Sequence, residues 1–361
     1  MSNFKAVKFD TSKSEFAKVL RKRVNQYFKE KKISKHSNFN MIAKTVFMMS
    51  LYLIPYSFVV TGFIESYWLN LVLWAIMGLG MAGIGMSVMH DANHGSYSKS
   101  KRLNDFIGQV ITLIGGNAIN WKLQHNVLHH TYTNISGMDE DLESDPLMRF
   151  SPDQEVKRFH KFQHLYAWFL YGLMTISWSV DKDFSQLVRY KKKGLLKLQN
   201  VKFNRALITL IITKVLYYCY AFVLPMIFAP TWWIALVGYL IMHFVAGFVL
   251  AIVFQCAHVI EKTDYPKPLE TGNMETDFFV HQLNTTANFG SRSKFFSWFV
   301  GGLNFQVEHH LFPNICHIHY KKLSPIVKKT ALEFGYPYHS FATFFEALSC
   351  HTRHLKQLGT A

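Results

Sequence analysis

Cysteine is scarce in this chain of 361 residues, which has only Cys219, Cys256, Cys316 and Cys350. No two stand at CxxC spacing and nothing arranges them into a framework. That excludes a disulfide scaffold and points to free thiols in a reducing compartment. Cys316 lies beside His317 and His319, but one cysteine with two histidines so tightly spaced reads as a loop rather than a zinc site. Acidic residues are also few, 23 against 39 Lys and Arg, for a net charge of +16. The basic residues are not gathered for nucleic acid. They group into polar segments between long apolar runs, which is a membrane pattern, and no nucleic-acid partner is expected. A secretory leader is missing too, so the N-terminus is expected to stay cytoplasmic.

What the chain has in abundance is hydrocarbon. Half of it is hydrophobic, with 32 Phe, 17 Tyr and 8 Trp, too apolar for an ordinary basic enzyme. The expected fold is an all-α integral membrane protein. Four transmembrane helices, about 41–63, 68–89, 203–228 and 231–254, form two antiparallel pairs beneath a cytoplasmic helical cap that holds the site. Residues 1–40 make a basic cytoplasmic segment, 41–330 the membrane domain and 331–361 a cytoplasmic tail. In the first segment Phe16, Val19, Leu20, Val24 and Tyr27 fit an amphipathic helix, on the membrane surface or in solvent. Lys44 is placed to snorkel, whereas Lys214 lies well inside its span, where it snorkels or faces the bundle interior. Gly78, Gly80, Gly83 and Gly85 favour close helix approach; a slot for a linear substrate is the alternative.

Three apolar stretches, 106–119, 165–180 and 295–305, are too short or too marginal to cross and are read as interfacial or re-entrant. Parity supports this. With four spans, every histidine-rich segment falls on the side that carries the Lys and Arg residues, and the short outer turns carry none. A fifth crossing at 165–180 would strand one of those segments across the membrane.

Three histidine sets carry the chemistry. His90 and His94 stand at i and i+4; His125, His129 and His130 at i, i+4 and i+5; Gln306, His309 and His310 at i, i+3 and i+4. Each spacing presents its donors from one helical side, and neutral imidazole is the commonest nitrogen ligand of redox metals. His258 lies at the depth of His90, just past the last apolar run, whereas His243 in mid-span reads as a satisfied interior residue. So many nitrogen donors exceed one ion's needs, so a dinuclear site or two adjacent sites is expected. An all-nitrogen site at the cytoplasmic membrane surface suits redox chemistry on a lipid, with iron or copper, since zinc has no second oxidation state. The acidic run 139–145 reads first as a solvated loop, with support of a ligand or contact with an electron donor as alternatives.

At these residues the chain resembles the membrane-bound fatty acid desaturases of the histidine-box superfamily. His90-x3-His94, His125-x3-His129-His130 and Gln306-x2-His309-His310 occur in that family's order. Gln124-His125-Asn126, Asn304-Phe305-Gln306 and Leu311-Phe312-Pro313 agree with its flanking text. The resemblance runs from roughly the first span to Lys329, with the first forty residues outside it. Glutamine at the head of the third box is similar to front-end desaturases, which act between an existing double bond and the carboxyl end.

The resemblance implies a non-haem enzyme with two Fe ions and O2 as co-substrate, inserting a double bond into an acyl-CoA or acyl-lipid chain. His90, His94, His125, His129, His130, His258, His309 and His310 would be ligands, with Gln306 a ligand or the holder of a water. Asp91, Asn126 and Glu308 would orient imidazoles. Many front-end relatives carry a fused cytochrome b5 domain with a His-Pro-Gly-Gly motif; this chain lacks the motif. Electrons are therefore expected from a separate ferredoxin, or from cytochrome b5 with its reductase, and a bacterial inner membrane is favoured over endoplasmic reticulum. A lipid hydroxylase of the same superfamily is the nearest rival. A metal transporter would need polar groups through the bilayer midplane, and a bis-histidine haem cytochrome would pair histidines within spans.

Overall fold

The structure, a computed structural model, describes residues 4, 6–10, 12, 15–142 and 147–360. Glu143 and Asp145 of the acidic run lie outside the described residues. Helix α1 (Glu15–Lys31) precedes α2 (Phe39–Val60), which Asn38 caps by accepting from the Met41 amide. Next come α3 (Tyr67–Asn93), α4 (Lys101–Gly108), α5 (118–132) and α6 (163–193). The long helices α7 (Phe203–Phe228) and α8 (Trp232–His258) follow. Short elements complete the chain: α9 (Phe278–Thr285), β1 (Ala287–Phe289), α10 (Lys294–Phe299), α11 (Gln306–Leu311), α12 (Tyr320–Glu333), β2 (His339–Phe341) and α13 (Phe344–Leu358).

Among the described residues, α2, α3, α7 and α8 are the four helices long and apolar enough to cross a membrane. Two run further than expected, α3 to Asn93 and α8 to His258, so His90 and His258 belong to the ends of spans. Exposed Ile42, Val46 and Ile54 on α2, and Ile208, Ile212 and Leu216 on α7, leave those helices apolar outside as well as inside. Helix α8 packs on α3 and on the first part of α6. The glycines serve that packing. A Cβ at Gly78 would lie 2.6 Å from the Met242 carbonyl oxygen, and at Gly80 2.7 Å from the Tyr52 amide; Gly83 meets Met48 sulfur. The Met48 side chain fills the space beside Gly83. The stretch 165–180 is part of α6 and buries Gly172 against α8, where Gly247 approaches the Gly172 carbonyl.

Lys44 is buried where it was expected to snorkel, and Lys214 faces the interior, one of its two expected placements. Lys214 is 5% exposed, pairs with Asp183 at 2.7 Å and donates to the carbonyls of Gly115 and Trp178 at 2.6 Å. Lys44 is 2% exposed and its Nζ lies 2.6 Å from His317 Nε2. Water would have to be stripped from either ammonium, and only a partner inside the protein offsets that cost.

Helix α1 and the described residues after α12 pack on the rest of the fold. Phe16, Leu20 and Val24 of α1 are buried with Leu323 and Val327 of α12, and Arg23 meets Glu333 at 2.5 Å. The apolar stripe of α1 therefore faces protein, where the sequence left membrane or solvent; each such side chain contributes about 1.5–3 kcal/mol. Residues 331–361, expected as a tail, supply β2 and α13. Strand β2 pairs in parallel with β1, Ala287 opposite His339, so the expected all-α fold carries one small sheet. Helix α13 lies on α8 and α6, with Gln163 Nε2 donating to the Leu355 carbonyl at 2.7 Å.

Candidate metal centre

Helix α5 decides how the site is built. Asn117 caps it by accepting from the amides of Ile119 and Asn120, and from Lys122 to His129 it winds as a π-helix. In an ordinary α-helix, residue i+5 lies about 140° round from residue i. In a π turn the hydrogen bond runs between i and i+5, so the two stack. The His130 amide donates to the His125 carbonyl, and this winding brings both rings inward. Their Nε2 atoms stand 3.3 Å apart. Helix α3 also relaxes into a π turn, Ile84–Val88, just before His90.

The third set sits on α11, a helix of six residues that could not hold itself together alone. Asn288 of β1 fixes it by accepting from the Val307 amide at 2.9 Å and donating to Glu308 at 2.8 Å. Before it, Gly301 and Gly302 turn at φ 63° and 67°. A Cβ at Gly301 would strike the Met86 carbonyl in the π turn of α3, so only glycine lets this strand of chain approach.

All eight expected histidines are brought together near the ends of α3 and α8, and Gln306 stands one turn before His309 and His310 on α11. His90 and His125 Nε2 are 3.2 Å apart, and His130 and His309 Nε2 are 2.9 Å apart. The donor atoms of His90, His94, His125 and His309 all lie within 4.8 Å of one another, as do those of His129, His258 and His310, with His130 grouped with His309 and His310. Two adjoining nests result. Nε2 of His94, His258 and His310 and both amide atoms of Gln306 are buried with no hydrogen-bond partner among the described residues. Burial and then neighbouring imidazoles hold His94, His125, His130, His309 and His310 well below the ordinary histidine pKa, hence neutral with free lone pairs. Lone pairs gathered this closely without donors fit cations.

The opposite ring nitrogens are held by groups that the sequence reading mostly missed. His310 Nδ1 donates to Gln282 Oε1 at 2.8 Å and His258 Nδ1 to the Thr285 carbonyl at 3.2 Å. His309 Nδ1 lies 3.3 Å from the Tyr320 hydroxyl. His129 Nδ1 sits 3.1 Å from both oxygens of Asp139, which is 1% exposed. Burial pushes His129 down, but Asp139 and Asp141 outweigh it and raise its pKa to about 9. The run 139–145 thus begins in the interior, not as a solvated loop. Glu140 accepts from Tyr190, Gln186 and Arg189.

The three residues expected to orient imidazoles do other work. Asp91 stands 3.9 Å from His90 Nδ1, too far for a hydrogen bond, and instead accepts from His317 Nδ1 at 2.9 Å and from the His317 amide. Lys44, His317 and Asp91 form a buried chain that ties the end of α3 to α2 and to the segment after α11, so His317 is more than loop. Asn126 donates to the Asn93 carbonyl at 2.9 Å. Glu308 accepts from Asn288 and Tyr338, each at 2.8 Å. His243 is satisfied as expected, between Tyr217 at 2.7 Å and Thr175 at 3.0 Å.

Fold and site together define a class: a helical protein with four helices of membrane length and a buried, all-imidazole donor set of the kind that takes redox metals. Comparison with known proteins specifies it. The fatty acid desaturase family model matches residues 66–342. The chain is similar to an sn-1 linoleoyl-lipid 6-desaturase of Arthrospira platensis, 34% identical over 95% of this chain and 92% of that protein. A protein of the same name from Synechocystis is 34% identical over 98% of both chains. An acyl-lipid (8-3)-desaturase of Physcomitrium patens is 34% identical over 97% of this chain and 73% of its own. The chain belongs to the fatty acid desaturase family and is an oxygen-dependent oxidoreductase. The similarity reaches beyond the expected limits at both ends, which accords with the packing of α1 and α13.

Proposed function

We propose that the protein is a front-end acyl-lipid desaturase, inserting a double bond between an existing one and the carboxyl end of a glycerolipid-borne acyl chain. The lipid substrate and the front-end preference rest on the names of the relatives and on glutamine at position 306. The observation that carries the reaction class is the pair of adjoining imidazole nests. His90, His94, His125 and His309 would hold one iron and His129, His258 and His310 the other, with His130 and Gln306 completing the set. Bound iron would supply the oxidant for an unactivated C–H bond, which offers no charge for acid–base catalysis.

The protein's own part is positional. Asp139, Gln282 and the Thr285 carbonyl fix ring orientation, leaving Nε2 inward. The four spans are proposed to form two antiparallel pairs with both termini and the histidine cap on the cytoplasmic face of a bacterial inner membrane. The distribution of Lys and Arg supports that orientation. Electrons come from a separate ferredoxin or cytochrome b5.

Expression in a host with simple fatty acids, followed by lipid profiling with double-bond localisation, tests the reading. A new double bond on the carboxyl side of an existing one is expected. A hydroxylated product would favour the lipid hydroxylase, and unchanged lipids from iron-loaded protein would refute both.

A further inference from the structure

Each turnover of the proposed reaction removes two hydrogens from the acyl chain and reduces one O2 to two waters. Two more electrons and two protons must therefore come from outside. An electron crossing protein slows steeply with distance, so its entry is favoured where a ligand comes nearest the surface. Of the nine proposed ligands, eight are buried and His94 alone is partly exposed. It lies in an open cavity of about 430 Å³ that is also lined by His36, Lys99, Lys101, Asp105 and Lys122.

The charge at this opening is one-sided. Asp105 is shared by Lys101 at 2.5 Å and Lys122 at 3.2 Å, which leaves three lysines against one carboxylate. Lys99 and Lys101 are exposed, and Arg102 beside them extends the basic surface along α4. His94 is in turn within 4.7–5.1 Å, ring centre to ring centre, of His90, His125, His130 and His309. One imidazole thus joins the basic opening to the middle of the donor set.

We propose that this opening is the docking surface of an acidic one-electron carrier protein, which reduces the centre by way of His94. The proposal rests on the desaturase reading. Each docked carrier gives up one electron and is oxidised once, so two dock in succession per double bond. Lys99, Lys101 and Lys122 steer the carrier's carboxylates, an attraction that salt screens.

The test uses the full chain in lipid nanodiscs, with reduced ferredoxin and cytochrome b5 tried separately. Binding is measured first, at low and high ionic strength. Lys99→Glu with Lys101→Glu is expected to weaken binding of the preferred carrier about tenfold at low salt, with the gap closing at high salt. Lys356→Glu, a charge reversal on α13, should leave it unchanged. In turnover the paired variant should raise the KM for the carrier while the dithionite-driven rate stays as it was. Carrier binding that ignores the paired substitution, or a KM change for the lipid instead, overturns the docking surface. Equal loss with dithionite also overturns it, because the lysines would then be structural. Absence of any desaturated product from unaltered, iron-loaded protein with every reductant would instead refute the reaction, while the binding measurement still decides the docking.

Discussion

Asp139 offers the sharpest test of the metal centre, because it meets the donor set through one hydrogen-bonded ring, that of His129. Both its oxygens lie 3.1 Å from His129 Nδ1, and they also accept from the amides of Asn134 at 2.9 Å and Asp141 at 3.0 Å. Asp139→Ala would orphan the buried Asn134 amide and the half-buried Asp141 amide and confound metal binding with folding. Asp139→Asn keeps the shape and one accepting oxygen but removes the charge. A charge-assisted hydrogen bond contributes about 1.5–3 kcal/mol and a neutral one about 0.5–1.5. The difference, roughly 1–1.5 kcal/mol, corresponds to about tenfold in affinity. Losing the carboxylate's pull on the imidazole adds to that, so a fall of about 10–100-fold is expected at one ion of the two. Chelator titration of purified, iron-loaded protein, with iron counted per chain, reads this directly. The variant should release one iron at chelator concentrations where the unaltered protein keeps both, with a smaller fall in melting temperature than Asp139→Ala, since one amide and not two loses its acceptor. Equal retention of both irons would mean that Asp139 supports no ligand, and the assignment of His129 would fall with it.

Three further outcomes follow from buried groups. Lys214→Met leaves Asp183 charged, 6% exposed and unpaired, and should lower stability by about 3–5 kcal/mol; a change below 1 kcal/mol in detergent unfolding would show the pair to be unimportant. His317→Ala cuts the chain from Lys44 to Asp91 and frees the end of α3, so iron retention and melting temperature should fall together; loss of neither would make the chain incidental. Burial raises the Glu308 carboxyl from 4.5 to about 7 against the pull of Tyr338 and Asn288. The folded state then holds a proton that the unfolded state has lost. Stability from this group is full below the lower value and is lost as pH rises to the upper, by roughly 3 kcal/mol. In Glu308→Gln that slope should vanish whatever the baseline; an unaltered slope would assign it to another group.

The sequence made the donors legible and left their supports dark, for a physical reason. Ligands cluster at helical spacing, so His90 and His94, or His309 and His310, declare themselves within five residues. Their supports come from wherever the fold happens to pass: Gln282 from α9, Thr285 just behind it, Tyr320 from the start of α12. Proximity in sequence misled in the same way. Asp91, Asn126 and Glu308 adjoin ligands, yet neighbours on a helix point to different sides, and each bonds elsewhere. Spans were readable from hydropathy alone and α1 from its stripe, but not what α1 packs on, because an amphipathic stripe says that a face is buried and not against what; α13 was not read at all. The spacing i, i+4, i+5 in the second box goes deeper. The expectation that an α-helix presents all three from one side is too generous, since it sets His130 about 140° round from His125. The site closes only because α5 winds as a π-helix, so the third imidazole of that box is itself an argument for the winding. Such a turn costs helical regularity, and Trp121 at its start, 4.5 Å from the His125 ring and 5.5 Å from the rings of His90 and His94, braces it against the first nest. The histidine pattern in this box is therefore a statement about backbone geometry as much as about chemistry.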